Sequence, residues 1–386
     1  MNLSLCHAAC GIVLATVLLS HAAEEPQPLT AVEAFSLAAG TQTIGAGYQF
    51  TNEPMLVETA RAMLAMGSNI AKFSLEGESP YNSLAERAER DRDVQTVFHL
   101  PFAHYFLWVS PLSAPYGDGT PFDPVRLESQ KREMYDLTCY LLKTFNGSGK
   151  TFYLGNWEGD WLLTGMDPEK VPDERTVRNM IAWGKTRQQA VDDARRDTPH
   201  QNVAVYLYIE VNRVRDAKEG KVRVTNMVLP ETNPDFVSYS AYDAQGPQIE
   251  KTLAELLDYI QAQLKPKAGL PEKRVFIGEY GLPATRKDSG GPVAQELVVR
   301  RVLRSALHWG CPFVLYWQMY DNEKAGFWLI DDKNVKQPAY FTHAVFLEKA
   351  KAYVAEFNAK HHRLPTRAEF GSAAQKWLAD PLQAQP

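Results

Sequence analysis

Along the chain, short apolar runs alternate with longer stretches in which apolar positions recur every three or four residues. The short runs are rich in β-branched and aromatic residues and read as strands. They occupy residues 43–48, 69–74, 105–109, 152–154, 203–209, 236–240, 274–278 and 313–317. The helical stretches fall between and after them, at 53–66, 125–145, 173–196, 249–264, 293–309 and 340–357. In one of these, Leu253, Leu256, Leu257, Ile260 and Leu264 repeat at helical spacing. Asn52 and Pro54 mark the start of the first helix, and Asn146-Gly147 marks the end of the second. Eight strands alternating with helices predict an α/β protein, a (β/α)8 TIM barrel. The strands are continuously apolar, as expected when helices cover a parallel sheet. An open doubly wound sheet fits less well. Its Gly-rich phosphate loop has no counterpart, since Gly45-Ala46-Gly47-Tyr48-Gln49-Phe50 lacks the third glycine.

Composition and charge narrow the function. The chain has 386 residues, 45% hydrophobic and 23% charged, which suits a globular domain. A net charge of −5 without a basic run argues against nucleic-acid and anionic-membrane partners. The N-terminus is set apart by an uncharged apolar stretch at 11–19, followed by Ser20-His21-Ala22-Ala23. It reads as a secretory signal cleaved after Ala22 or Ala23, although its n-region has no Lys or Arg. The run is shorter than the roughly 20 residues needed to span a bilayer. A secreted or periplasmic protein, free of the membrane after cleavage, is the expectation. Cys139 and Cys311 remain in the mature chain and read as buried thiols rather than a disulfide. No Cys/His spacing suggests zinc, and Asp321-Asn322-Glu323 lacks the ligand spacing of a calcium loop. No metal or cofactor is expected.

In such a barrel, chemistry belongs at the C-terminal ends of the strands. The fourth run leads into Asn156-Trp157-Glu158-Gly159-Asp160-Trp161 and the seventh into Glu279-Tyr280-Gly281. Carboxylates after strands four and seven would face each other across the mouth of the ring. Hydrolysis of a glycosidic bond uses such a pair, one as proton donor and one as nucleophile or base. Trp157 and Trp161 would provide apolar surroundings that raise an acid's pKa, or a platform for a sugar ring. Further candidates for the cleft are Lys72 near the end of strand two, His99 and His104 around strand three, Glu210 and Asn212 after strand five, and Asp243 after strand six. Trp108 and Trp328 are candidate outer platforms. No HExxH motif or GxSxG elbow points to a metal or serine hydrolase.

This arrangement resembles clan A of the glycoside hydrolases. The resemblance covers most of the mature chain as strand order and is specific at four or five positions. It implies a retaining enzyme with Glu158 as acid/base and Glu279 as nucleophile. It also implies Trp317 beneath the sugar at the cleaved bond, and Tyr239 or Tyr242 hydrogen-bonding the nucleophile. Two departures stand out. Trp157 separates Asn156 from Glu158, where the clan has Asn directly before its acid, so Asp160 is a rival for that role. Lys72 stands near a position where many members carry Arg. The resulting expectation is a signal at 1–22 and a single catalytic barrel at 23–386 with a C-terminal helical extension, acting on an oligo- or polysaccharide. A carbohydrate-binding barrel without turnover is the alternative.

Overall fold

A computed structural model describes residues 28–77, 79–112 and 124–379. The expected signal lies outside these residues. Eight strands form a closed parallel barrel in sequence order. They are β1 (Ala39–Thr43), β2 (Ile70–Ser74), β3 (His104–Trp108), β4 (Thr151–Gly155), β5 (Ala204–Val211), β6 (Phe236–Ser240), β7 (Val275–Glu279) and β8 (Val314–Tyr316). The fold class is therefore the (β/α)8 barrel read from the pattern.

The side-chain period of two divides the strands between two cores. Outward residues such as Phe73, Tyr105, Leu107, Phe152, Val237 and Tyr239 pack under the helices. Inward residues fill the barrel with rings: Phe106 stacks on Tyr153 at 4.4 Å, and Phe276 and Phe313 close around them. Above this apolar layer the inward positions turn polar, with Lys72 on β2, Glu210 on β5 and Ser238 on β6.

Two glycines make room for that change. A Cβ on Gly155 would fall 2.1 Å from the Tyr208 ring, and one on Gly278 would fall 1.7 Å from the Ser238 hydroxyl oxygen. At Gly278 the β6–β7 ladder also slips, so Tyr239 pairs with Ile277 but Ser240 pairs with Glu279. With Phe276 and Gly278 inward, strict alternation would send Glu279 out. The extra residue re-aims it toward the barrel mouth.

The first strand differs from expectation. It runs over Ala39–Thr43, and residues 44–48 belong to the loop that follows. Gly45 sits at φ 59°, and Gly47 lies so close to the Asp321 carbonyl that a Cβ would approach it to 3.0 Å. Ile44 and Tyr48 carried strand propensity, but these glycines set the local backbone. β5 reaches Val211, so Glu210 lies within the strand rather than after it. Helices also form where no apolar period was read, notably Leu84–Arg90, Arg92–His99 and Gly159–Thr164. At the C-terminal end, helix Arg367–Ala379 packs on the helices Gly291–Trp309 and Pro338–His361. Cys139 and Cys311 are free thiols, one half-buried and one buried. Among the described residues, no helix is long and apolar enough to cross a membrane.

Candidate active site

The C-terminal ends of the strands open into a cleft of about 700 Å³. Glu158 and Glu279 both line it, beside Trp108, Trp157, Trp161, Trp317, Tyr242 and Phe327. β4 ends at Gly155, and Glu158 immediately precedes the short helix Gly159–Thr164. The strand does not continue through Trp157, so simple alternation does not decide which acid faces inward. Hydrogen bonds do. The Glu158 carboxylate accepts from the Ser240 hydroxyl and from Asn212 Nδ2 at 3.4 Å. The Glu158 amide donates to Glu210 Oε1 at 3.1 Å.

Asp160 points away from the cleft. Its two oxygens accept from the backbone N–H groups of Val224 (2.8 Å) and Asn212 (3.1 Å), and its own amide donates to Asn212 Oδ1 (3.0 Å). It is fully buried and ties the β4 loop to the β5 loop. That clamp holds Asn212, whose other amide atom steadies Glu158. The structure therefore places Glu158 in the cleft and gives Asp160 a supporting position behind it.

Beneath the two cleft glutamates lies a charged pair. Lys72 is 1% exposed and Glu210 0%, with Nζ to Oε2 at 3.2 Å. Lys72 also donates to the Gly278 carbonyl at 3.0 Å and stands 3.7 Å from Glu279 Oε1. The Trp108 ring lies 4.8 Å from its ammonium. Glu210 is further held by Ser238 Oγ at 2.7 Å, and its amide donates to Asn156 Oδ1 at 3.4 Å. One carboxylate thus links β2, the β4 loop, β5 and β6.

The electrostatics follow from this packing. Burial raises the Glu158 carboxyl to about 7, reinforced by the charge of Glu210 and opposed by the Ser240 hydrogen bond. Burial likewise pushes Glu279 well above the ordinary carboxylate range. Lys72 opposes that rise, while Glu210, Glu158 and Glu323 add to it. Like charges so close resist ionising together. Lys72 opposes the rise of both carboxyls and stands against Glu279, where it favours the anion. Burial also lifts the Tyr242 phenol, and the fields of Glu279 and Glu158 add to the effect, so Tyr242 keeps its proton beside them.

The other expected residues divide between the cleft and the rest of the barrel. Trp161 lines the cleft with Arg213 stacked over its ring at 5.2 Å. Trp317 lies on the cleft wall, and its indole N–H donates to Glu323 Oε1 at 3.0 Å. Asn156, Lys72 and Glu210 support the site from within the barrel. Tyr239 faces outward and donates to Asp243, so Tyr242 is the strand-six tyrosine in the cleft. His104 opens β3 at the opposite end of the barrel, where Nε2 meets the Ala34 carbonyl at 3.1 Å. Position within the strand decides this: a residue at the N-terminal end of a barrel strand cannot reach the mouth. His99 is exposed at the end of its helix, bonded to the Gln95 carbonyl.

Sequence reasoning passed over Ser238, Ser240, Arg286 and Phe327, and weighed Glu323 only as part of a calcium loop. The two serines carry a readable signal, since they alternate with Val237 and Tyr239 along β6 and so share its inward face. Glu323, Arg286 and Phe327 come from long loops after β7 and β8, where no period exists to read. Among the described residues, no cluster of three or more His, Cys, Asp or Glu side chains is arranged to hold a metal ion.

No protein-family model matches the chain, and no curated protein sequence does. Solved structures do match. One is a family 39 glycoside hydrolase from Bacteroides cellulosilyticus, at 16% identity over 84% of this chain and 66% of that one, with a TM-score of 0.51. A family 5 xyloglucanase from Paenibacillus pabuli matches at 14% identity over 83% of this chain and 100% of its own, with a TM-score of 0.52. A GH5_18 protein from Bifidobacterium longum, in complex with Manβ1-4GlcNAc, matches at 13% identity over 85% of this chain and 79% of that one, with a TM-score of 0.56. At these identities the likeness is one of fold: the chain is a (β/α)8 barrel similar to those of clan A glycoside hydrolases, with no family assigned.

Proposed function

We propose that this protein is a retaining glycoside hydrolase acting on an oligo- or polysaccharide. The observation that carries the reading is the meeting of Glu158 and Glu279, from the ends of β4 and β7, in one aromatic-walled cleft. Glu279 attacks the anomeric carbon as Glu158 protonates the departing oxygen, so the C–O bond breaks as a glycosyl ester forms. Glu158, now ionised, then takes a proton from water, and the water oxygen displaces Glu279. The raised pKa of Glu158 suits a group that must hold a proton near neutral pH and then surrender it. Trp317, Trp108 and Trp161 offer faces for sugar rings. Several structural neighbours are glycoside hydrolases, one of them bound to a disaccharide, which supports a carbohydrate as the substrate class. The apolar segment at 11–19 supports export to the periplasm or medium ahead of a single catalytic barrel.

The test is a panel of aryl glycosides and polysaccharides, assayed with wild type, Glu158→Gln and Glu279→Gln. Each variant should lose activity by about 10²–10⁴-fold, and the first-formed sugar should keep its anomeric configuration by NMR. Unchanged turnover in either variant refutes its assigned role. An inverted product refutes the double displacement. Saccharide binding by wild type without turnover would instead identify a carbohydrate-binding barrel.

A further inference from the structure

Two cationic side chains line the cleft beside its carboxylates, and the double displacement uses neither. Arg213 follows β5 and Arg286 follows β7. Each guanidinium rests on an aromatic ring of the cleft wall, Arg213 at 5.2 Å from the centre of Trp161 and Arg286 at 5.9 Å from that of Phe327. Arg213 is also next in the chain to Asn212, whose Nδ2 donates to Glu158 at 3.4 Å. Its backbone is therefore fixed one residue from a group that holds the acid.

The guanidinium of Arg213 is held by one edge only. Nε and Nη2 both donate to Asp216 Oδ2, at 2.7 Å and 2.6 Å. A guanidinium carries five N–H groups in a planar fork, so the end formed by Nη1 and the outer hydrogen of Nη2 is left over. Among the described residues that end has no hydrogen-bond partner, and the side chain keeps 22% of its surface exposed. Nor does Asp216 serve Arg213 alone. It also accepts from Arg223 at 2.9 Å and Lys221 at 3.2 Å, so one carboxylate is divided among three cations. Arg286 is exposed, and among the described residues no carboxylate stands within ion-pair distance of it. The remaining carboxylates of the cleft wall are engaged elsewhere. Asp243 accepts from the Arg215 amide and the Tyr239 hydroxyl, and Glu323 accepts from the Trp317 indole.

We propose that the saccharide taken by this cleft is anionic. The carboxylate or sulfate ester of a sugar unit beside Glu158 is held by the free end of Arg213, and Arg286 supplies a second positive group in the same cleft. The planar fork matches two oxygens of either anion. Asp216 and Trp161 fix the fork before the ligand arrives, so little side-chain freedom is lost on binding. A neutral sugar would leave both charges facing water. The inference rests on the reading of the cleft as a glycosidase site and adds a charge to its substrate class.

The test measures binding to the full chain carrying Glu279→Gln by calorimetry, and turnover by wild type, with matched ligands. Oligosaccharides from glucuronoxylan, hyaluronan and alginate are compared with their carboxyl-reduced forms, and those from a sulfated galactan with their desulfated forms. At least one anionic ligand should bind about tenfold or more tighter than its neutral counterpart, and the preference should shrink as salt rises. The set that shows it separates carboxylate from sulfate. Arg213→Gln should remove most of the preference and Arg286→Gln part of it, while Arg213→Lys, which keeps the charge without the fork, should retain some. Arg213→Gln leaves Asp216 its bonds to Arg223 and Lys221, and Arg286 is exposed, so neither substitution strands a buried charge. Neutral forms that bind as tightly as anionic ones overturn the proposal, as does a preference that survives both glutamine substitutions or a failure of every anionic ligand to bind. If a variant does not fold, the matched ligands on the unaltered arginines decide. Turnover of neutral saccharides without that preference sinks this inference alone, whereas anion-selective binding without turnover upholds it and sinks hydrolysis.

Discussion

At the level of single residues, the site is a problem of where one proton resides. Four carboxylates, Glu158, Glu210, Glu279 and Glu323, share a small volume with Lys72. The proposed acid role requires protonated Glu158, so kcat/KM should fall as pH rises through about 7, and Glu158→Gln should remove that limb from what activity remains. Lys72 acts at the other limb. Lys72→Met removes the cation that favours ionised Glu279, so the acidic limb should move upward by about one pH unit or more. The same substitution strands buried Glu210, so a stability loss of about 3–5 kcal/mol is expected. Lys72→Met combined with Glu210→Gln should recover much of that stability and bring the acidic limb part of the way back, since Lys72 and Glu210 act on Glu279 in opposite senses. Asp160 gives a contrasting outcome. Asp160→Asn should destabilise the protein in urea by about 1–3 kcal/mol while sparing turnover far more than Glu158→Gln does. A loss equal to that of Glu158→Gln would return Asp160 to candidacy as the acid.

At the level of elements, the glycines and the β6–β7 slip show how a barrel of apolar strands acquires a polar mouth. Gly155 lets Tyr208 fill the layer beneath the site, and Gly278 lets the Ser238–Glu210 bond pass. Gly155→Ala would place a methyl group inside the Tyr208 ring. Overpacking there should cost about 1–3 kcal/mol or more in denaturant unfolding and should lower kcat by displacing the adjoining loop that carries Asn156 and Glu158. An unchanged Cm and kcat would show that β4 tolerates a side chain at its end. Elements were legible to the degree that burial imposed a period. β6 was read to the residue, because Phe236, Val237 and Tyr239 are apolar and the strand is covered on both sides. β1 was misplaced because its chain, Ala39-Gly40-Thr41-Gln42-Thr43, is small and polar, although every residue is buried. Its partners β2 and β8 make it a strand, and local propensity does not. The helix Gly159–Thr164 was missed for a related reason: six residues contain too few turns to show a period.

At the level of the whole molecule, burying the carboxyls of the cleft has a cost in stability. Glu158 has its folded pKa raised from 4.5 to about 7. Its contribution is therefore fully present below the unfolded pKa and is lost as pH rises from there through about 7. Above that, a charge is held in a buried site at a cost. Glu158→Gln should thus raise thermal stability at pH 8, by about 2 kcal/mol, and the advantage should shrink toward pH 5. A Tm difference independent of pH would mean that the Glu158 carboxyl is no more costly to ionise in the folded protein than in the unfolded chain.

The sequence by itself determined the alternation of strands and helices, hence the barrel, because a parallel sheet covered on both faces must be written as short apolar runs between amphipathic helices. It also determined that carboxylates stand at or just past the C-terminal ends of strands four and seven, because barrel order turns position along the chain into position around the ring. Only the tertiary structure decided which acid faces the cleft. Glu158 and Asp160 are two residues apart in a loop, and their directions depend on Ser240, Asn212 and Val224, which lie far away in sequence. The same holds for Tyr239 and Tyr242, for Glu279 turned inward by the slip at Gly278, and for His104 at the barrel base. Each is set by the register of one strand against another, and register is a property of the closed sheet.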